Sequence, residues 1–130
     1  MKIFGHEYGM LYTVGAQSEI AKLCPGEDLT KLLDALKGKT GERNGNAAEI
    51  VCILSRWHEK AEAFKASAEG RDYEEAPVTR EILELIDVDS FGALLSEAFA
   101  VMNGDSEKTV ETEDVAPSKK EKKDEVQRSA

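Results

Sequence analysis

One apolar stripe constrains the fold of this chain more than any other feature. Ile50, Ile53, Leu54, Trp57, Ala61 and Phe64 recur at helical spacings and keep one side of an α-helix apolar for four turns. Arg56, Glu59, Lys60, Glu62 and Lys65 fall on the other side, which predicts a solvated face. Asn46, with Glu49 three residues on, makes a start like a capping box. A helix over 47–66 is roughly 30 Å long. An element so long and one-sided has to be covered by others, which makes it the expected central helix of a helical domain.

The flanking segments supply the cover. Lys2–Phe4 reads as a short strand, Gly5-His6-Glu7 as a turn, and Tyr8–Val14 as a second strand in which Tyr8, Met10, Tyr12 and Val14 alternate. A lone hairpin is marginal in water, so this one is expected to lie on the helices. Ala16, Ile20 and Leu23 suit a helix ended by Pro25-Gly26. Asp28 caps a second helix with Leu29, Leu32, Leu33 and Leu36 on its core face, and Gly38 stops it. Residues 37–46 hold three glycines and no hydrophobe, which predicts a mobile loop.

Glu69–Glu75 is an acidic connector. Thr79 caps a short helix presenting Ile82, Leu83 and Ile86. Asp89 or Ser90 opens the last helix, with Phe91, Leu94, Leu95, Ala98, Phe99 and Met102 on one stripe and Asn103-Gly104 at its end. Trp57, Phe64, Leu94 and Phe99 are expected in the core. Residues 103–130 carry 14 charged side chains in 28 and no aromatic, too little apolar area to offset ordering entropy. The fold class that follows is mainly α: a small N-terminal β-hairpin packed on a four- to five-helix domain over 1–104, then a disordered charged tail over 105–130.

Charge and composition narrow the function classes. The formal net charge of −9 and pI near 4.8 oppose binding to phosphate backbones or anionic lipid. The longest apolar runs, Ile50–Leu54 and Ala98–Met102, are five residues each, against about 20 for a membrane helix. The opening residues are too polar for a signal peptide, so the cytoplasm is the expected location. Cys24 and Cys52 lack metal-ligand spacing and are expected to be free, partly buried thiols.

Motifs with chemistry fail on inspection. Gly38-Lys39-Thr40 resembles the end of a phosphate-binding loop, but Leu33 stands where its first glycine belongs and a helix precedes it. Asp87-Val88-Asp89-Ser90-Phe91-Gly92 resembles a calcium loop, yet Ala98 occupies the position of the bidentate Glu. His58 has no positioned nucleophile or orienting acid in the sequence and reads as a boundary residue, and His6 has no ligand partner nearby. The expected protein is not an enzyme and takes no cofactor. An acidic mimic of DNA is disfavoured because the acids are interspersed with Lys and Arg.

The segment Lys2-Ile3-Phe4-Gly5-His6-Glu7-Tyr8-Gly9-Met10-Leu11-Tyr12-Thr13-Val14-Gly15-Ala16 resembles the start of tail assembly chaperones from long-tailed bacteriophages and prophages. Val78-Thr79-Arg80-Glu81-Ile82-Leu83-Glu84-Leu85, then Phe91 and the helix ending Asn103-Gly104-Asp105, is similar as well, as is the charged tail. The resemblance implies a non-enzymatic assembly factor that binds the tape measure protein, keeps it soluble and helps tail tube protein polymerise around it. It implies a site of action in the bacterial cytoplasm and absence from the mature virion. Lys119-Lys120 and Lys122-Lys123 are compatible with an A-rich slippery run of the kind this family uses to make a longer, frameshifted form. Met10 and Tyr12 on the hairpin, with Phe99 and Met102 near the end of the last helix, are the expected partner-binding residues; self-association is a further possibility. The alternative class is a structural virion component, such as a small head–tail connector or minor tail protein, which would be found in purified particles.

Overall fold

The computed structural model describes residues 1–104. Its element order is β1 (Lys2–Ile3), β2 (His6–Glu7), α1 (Val14–Ala21), α2 (Leu32–Ala35), α3 (Thr40–Ala68), α4 (Arg80–Glu84) and α5 (Val88–Asn103), with single 3-10 turns at Pro25–Glu27 and Leu29–Lys31. The chain is mainly α with a two-stranded antiparallel hairpin at its start, as its sequence pattern predicts. None of the described helices is long and apolar enough to cross a membrane. The expected tail over 105–130 lies outside the described residues.

Helix α3 is central, but it differs from the expected helix at both ends. It begins at Thr40, so most of the expected 37–46 loop is its first two turns. Gly41 and Gly45 each cost about 1 kcal/mol relative to Ala in a helix. Propagation backward from a packed middle is cheap once the nucleus exists, and Glu42 in the first turn suits the helix dipole. Asn46 is not a cap; its Nδ2 donates to the carbonyl of Ala35 at 2.7 Å and ties α3 to α2. In the middle, Ile50, Val51, Cys52, Ile53, Leu54 and Ser55 are all buried. A run buried on every side means that the helix is wrapped there, by α1, α4 and α5, rather than lying on one partner.

Phe64, expected in the core, is 77% exposed although Ala66, two residues further on, is buried: it lies on the solvent-facing side of the last turns of α3. Leu94 is buried as expected, while Trp57 and Phe99 are half-buried. Trp57 packs over Gly15: a Cβ there would fall 2.3 Å from the indole, so the close approach of α1 to α3 requires glycine. The indole N–H is buried close to the Glu19 carboxylate without a full hydrogen bond, and Glu19 itself accepts from Arg56 at 2.7 Å. Lys60 lies 5.6 Å over the same ring.

The hairpin is shorter than expected and its turn falls earlier. Ile3 pairs with His6 and Lys2 with Glu7, which leaves Phe4-Gly5 as a two-residue turn. Both turn residues have positive φ, 49° and 82°, as a primed hairpin turn demands. Residues 8–13 form no strand. They run along α3, where the Leu11 N–H donates to the Leu54 carbonyl at 3.1 Å, and the Tyr8 N–H donates to Met1 O at 2.7 Å. The Met1 ammonium lies 2.9 Å from Glu7 and 3.2 Å from Glu97, joining the hairpin to α5.

Several local signals hold as read. Asp28 accepts from the Thr30 N–H and Thr79 caps α4 by accepting from the Ile82 N–H, whereas Thr13, expected within a strand, caps α1 by accepting from the Ala16 N–H. Gly38 and Gly104 carry the positive φ of helix stops. Two further readings change. Leu33 is 72% exposed, because only one turn of α2 forms and it is Ala35 that points inward. Helix α5 opens two or three residues earlier than expected, with Asp87 as its cap, accepting from the Ser90 N–H at 3.1 Å. Cys24 and Cys52 are both free and buried.

Candidate protein-docking site

The connector after α3 determines where α4 and α5 sit. Ser55 and Glu59, one helical turn apart, are buried polar residues in an otherwise apolar interface. The Val78 N–H donates to Ser55 Oγ at 3.0 Å. Glu59 Oε1 accepts from the Ala76 N–H at 2.9 Å and from the Tyr73 hydroxyl at 2.8 Å. His58 Nδ1 stands 3.2 Å from the other Glu59 oxygen. Glu59 is therefore the anchor of the connector, not a member of a solvated face as its sequence position suggested. Burial opposes its ionisation, but the Ala76 N–H, the Tyr73 hydroxyl and His58 outweigh burial and hold its carboxyl below the ordinary value. Desolvation, then the hydrogen bond to Glu59 and its charge, push the Tyr73 phenol up to about 12.

With the connector clamped, α4 and α5 meet at a corner beside the hairpin and the start of α3. Two open grooves flank this corner. One, of about 360 Å³, lies between the glycine-bearing first turns of α3 (Gly41, Gly45, Ala48) and Leu83, Val88 and Phe91. Nothing within 4 Å would meet a Cβ at Gly41, whereas Gly45 lets the Arg80 guanidinium approach to 3.0 Å of that position. The second, of about 330 Å³, lies between the hairpin and the corner and is lined by Ile3, Phe4, Leu85 and Leu94. Ile86 lines both. Three large apolar residues stand open to water around them: Phe4 at 73%, Leu85 at 73% and Val88 at 84% exposure. Their clustering about two concavities makes this corner the candidate site of the described residues.

The four residues expected to bind a partner lie elsewhere in burial. Met10, Tyr12, Phe99 and Met102 are all half-buried, and Met10, Tyr12 and Met102 pack against the core. Phe4, Leu85 and Val88 were not singled out from sequence. A signal existed for each: Phe4 stands where a primed turn favours Asn or Gly, Leu85 falls at the end of α4, and Val88 sits between two acids at the start of α5.

The corner carries mixed charge. Arg80 Nε is 3.4 Å from Glu84, one turn on, and Lys2 stands opposite Glu7 in the hairpin register. Glu81, Asp87 and Asp89 are exposed beside the apolar ridge. The side-chain and backbone hydrogen bonds from Ser90 hold the Asp87 carboxyl below its ordinary value. Among the described residues there is no group of three or more His, Cys, Asp or Glu placed to hold a metal ion. Comparisons with protein-family models, with curated proteins and with solved structures found no match to this chain.

Proposed function

We propose that this chain is a non-enzymatic tail assembly chaperone of a long-tailed bacteriophage or prophage, acting in the host cytoplasm. In this role it binds the tape measure protein, keeps it soluble and promotes polymerisation of tail tube protein around it. The reading starts from the resemblance of residues 2–16 and 78–105 to that family. The observation that carries it further is the exposed cluster of Phe4, Leu85 and Val88 about two grooves whose linings mix apolar and charged side chains. A holding factor needs apolar surface that stays accessible, and a net charge of −9 to keep the loaded complex dispersed suits the same task. A tape measure is long and helical and exposes apolar stripes until the tube closes on it, so a shallow, two-groove surface matches many similar sites along one client.

The test is co-expression with the tape measure encoded beside it. The client is expected to become soluble and to co-purify with several copies of this chain. Purified virions are expected to lack the chain, and its recovery from them would assign it to the structural components instead. A tape measure that stays insoluble with this chain and any frameshifted longer form present refutes the proposal.

A further inference from the structure

We infer that the α4–α5 corner, together with the hairpin tip, docks an amphipathic helix whose apolar stripe is flanked by Lys or Arg. For the identity of the natural client the inference rests on the holding-factor reading above; the geometry of the face is independent of it.

The first argument is conformational. Phe4 adopts φ 49°, a left-handed conformation that disfavours a bulky L-residue, and its ring is 73% exposed. The folded chain gains neither backbone ease nor burial from a phenylalanine there. Strain held at an exposed aromatic beside a groove is the signature of a residue kept for contact with something else.

The second argument concerns who that partner is. The apolar ridge calls for apolar side chains on two neighbouring positions, one for each groove, which a helix supplies at i and i+3 or i+4. The charges around it select the flanks. Arg80 is engaged by Glu84, and Glu7, opposite Lys2 in the hairpin, pairs with the Met1 ammonium, so Lys2 stands as a cation on this edge. Against it, Glu81, Asp87 and Asp89 remain without an ion-pair partner among the described residues, so the edge of the face is still net negative. A partner with basic residues beside its stripe gains there, and an acidic one is repelled.

The same charges decide against other occupants. A second copy docked face to face about a two-fold axis would bring Glu81, Asp87 and Asp89 against their own counterparts. The chain's own basic run, Ser118-Lys119-Lys120-Glu121-Lys122-Lys123, has the right charge but no hydrophobe to fill either groove.

The test uses the full chain and two labelled helical peptides, identical in a Leu stripe and differing only in Lys or Glu beside it. Fluorescence anisotropy is expected to show the Lys peptide bound about tenfold tighter at low salt, the combined effect of several individually weak exposed pairs. The ratio should fall to about twofold in 1 M salt, where screening acts within about 3 Å. Leu85→Ser and Val88→Ser should each weaken capture about tenfold, since both side chains are open to the partner and neither supports the fold. Val14→Ser, at an equally exposed apolar site on α1, should leave capture unchanged. The paired change Glu81→Gln with Asp89→Asn should remove most of the preference for Lys while keeping the salt-independent part.

Equal affinity for the two peptides, or indifference to Leu85→Ser and Val88→Ser, overturns the inference. So does a dimer in light scattering that Leu85→Ser dissociates, because the face then belongs to a second copy. Capture of the Lys peptide by a chain that fails to solubilise the tape measure leaves this inference standing and refutes the proposed function.

Discussion

Replacing Glu59 tests the clamp that positions the α4–α5 corner. Its carboxylate accepts two hydrogen bonds from the connector, at 2.8 and 2.9 Å, while itself only 8% exposed. Hydrogen bonds to a charged group contribute about 1.5–3 kcal/mol each, and removing the carboxylate also relieves a buried charge, so Glu59→Ala should cost about 2–4 kcal/mol. With a urea slope of about 1.5–2 kcal/mol/M for a chain of this size, the midpoint should fall by about 1–2 M. The loss has a pH signature. The Glu59 pKa is lowered from 4.5 in the folded chain, so its contribution is present above that value and disappears as pH falls through the folded pKa. The gap between native chain and Glu59→Ala should therefore be widest near neutral pH and close in acid. Urea titrations followed by circular dichroism across that range measure it, and exchange of the Ala76 and Val78 amides reports the clamp locally. A variant with an unchanged midpoint at neutral pH, or a gap that is independent of pH, refutes the assignment of Glu59 as the anchor.

Gly15→Ala should destabilise by about 1–3 kcal/mol despite the better helix propensity of Ala, because its Cβ would meet the Trp57 indole at 2.3 Å; thermal unfolding measures it. Phe4→Asn should raise stability by about 1 kcal/mol, since Asn tolerates positive φ and little burial is lost, while capture of the Lys peptide falls. Burial pushes the Cys52 thiol up to about 11, so the native chain should resist a thiol-blocking reagent at neutral pH and react only on unfolding, as mass spectrometry would show. The Tyr73 phenol should titrate near pH 12, and Glu59→Ala should lower that value in an ultraviolet absorbance titration; the raised pKa means that the Tyr73–Glu59 bond stabilises the fold at neutral pH and is lost as pH rises through the phenol's titration.

Much of the fold is written in local chemistry. The caps at Thr79 and Asp28 and the glycine stops at 38 and 104 depend on side chains and backbone angles within a few residues, so composition and spacing reveal them directly. The stripes of α1, α3 and α5 are legible for the same reason: a period of three to four is a property of one helix alone. What lay outside the reach of spacing depends on which elements meet. Residues 40–46 look like a loop by propensity, and become helix because α3 is held by its neighbours further on and Asn46 reaches Ala35. Glu59 and Phe64 exchange their expected roles: Glu59 is covered by a connector that folds back to it, and Phe64 lies on the side of the same helix that faces water.

The α4–α5 corner is the clearest case of what only tertiary structure decides. Phe4 and Leu85 are more than 80 positions apart in the sequence, and their shared groove exists because the clamp at Ser55 and Glu59 returns α4 and α5 to the hairpin. Amino-acid order carries the mainly helical fold class, the negative charge and the free thiols, since each follows from residue type and near neighbours. Exposure belongs to pairs of elements, and no single stripe can state which of its hydrophobes will be left without a partner.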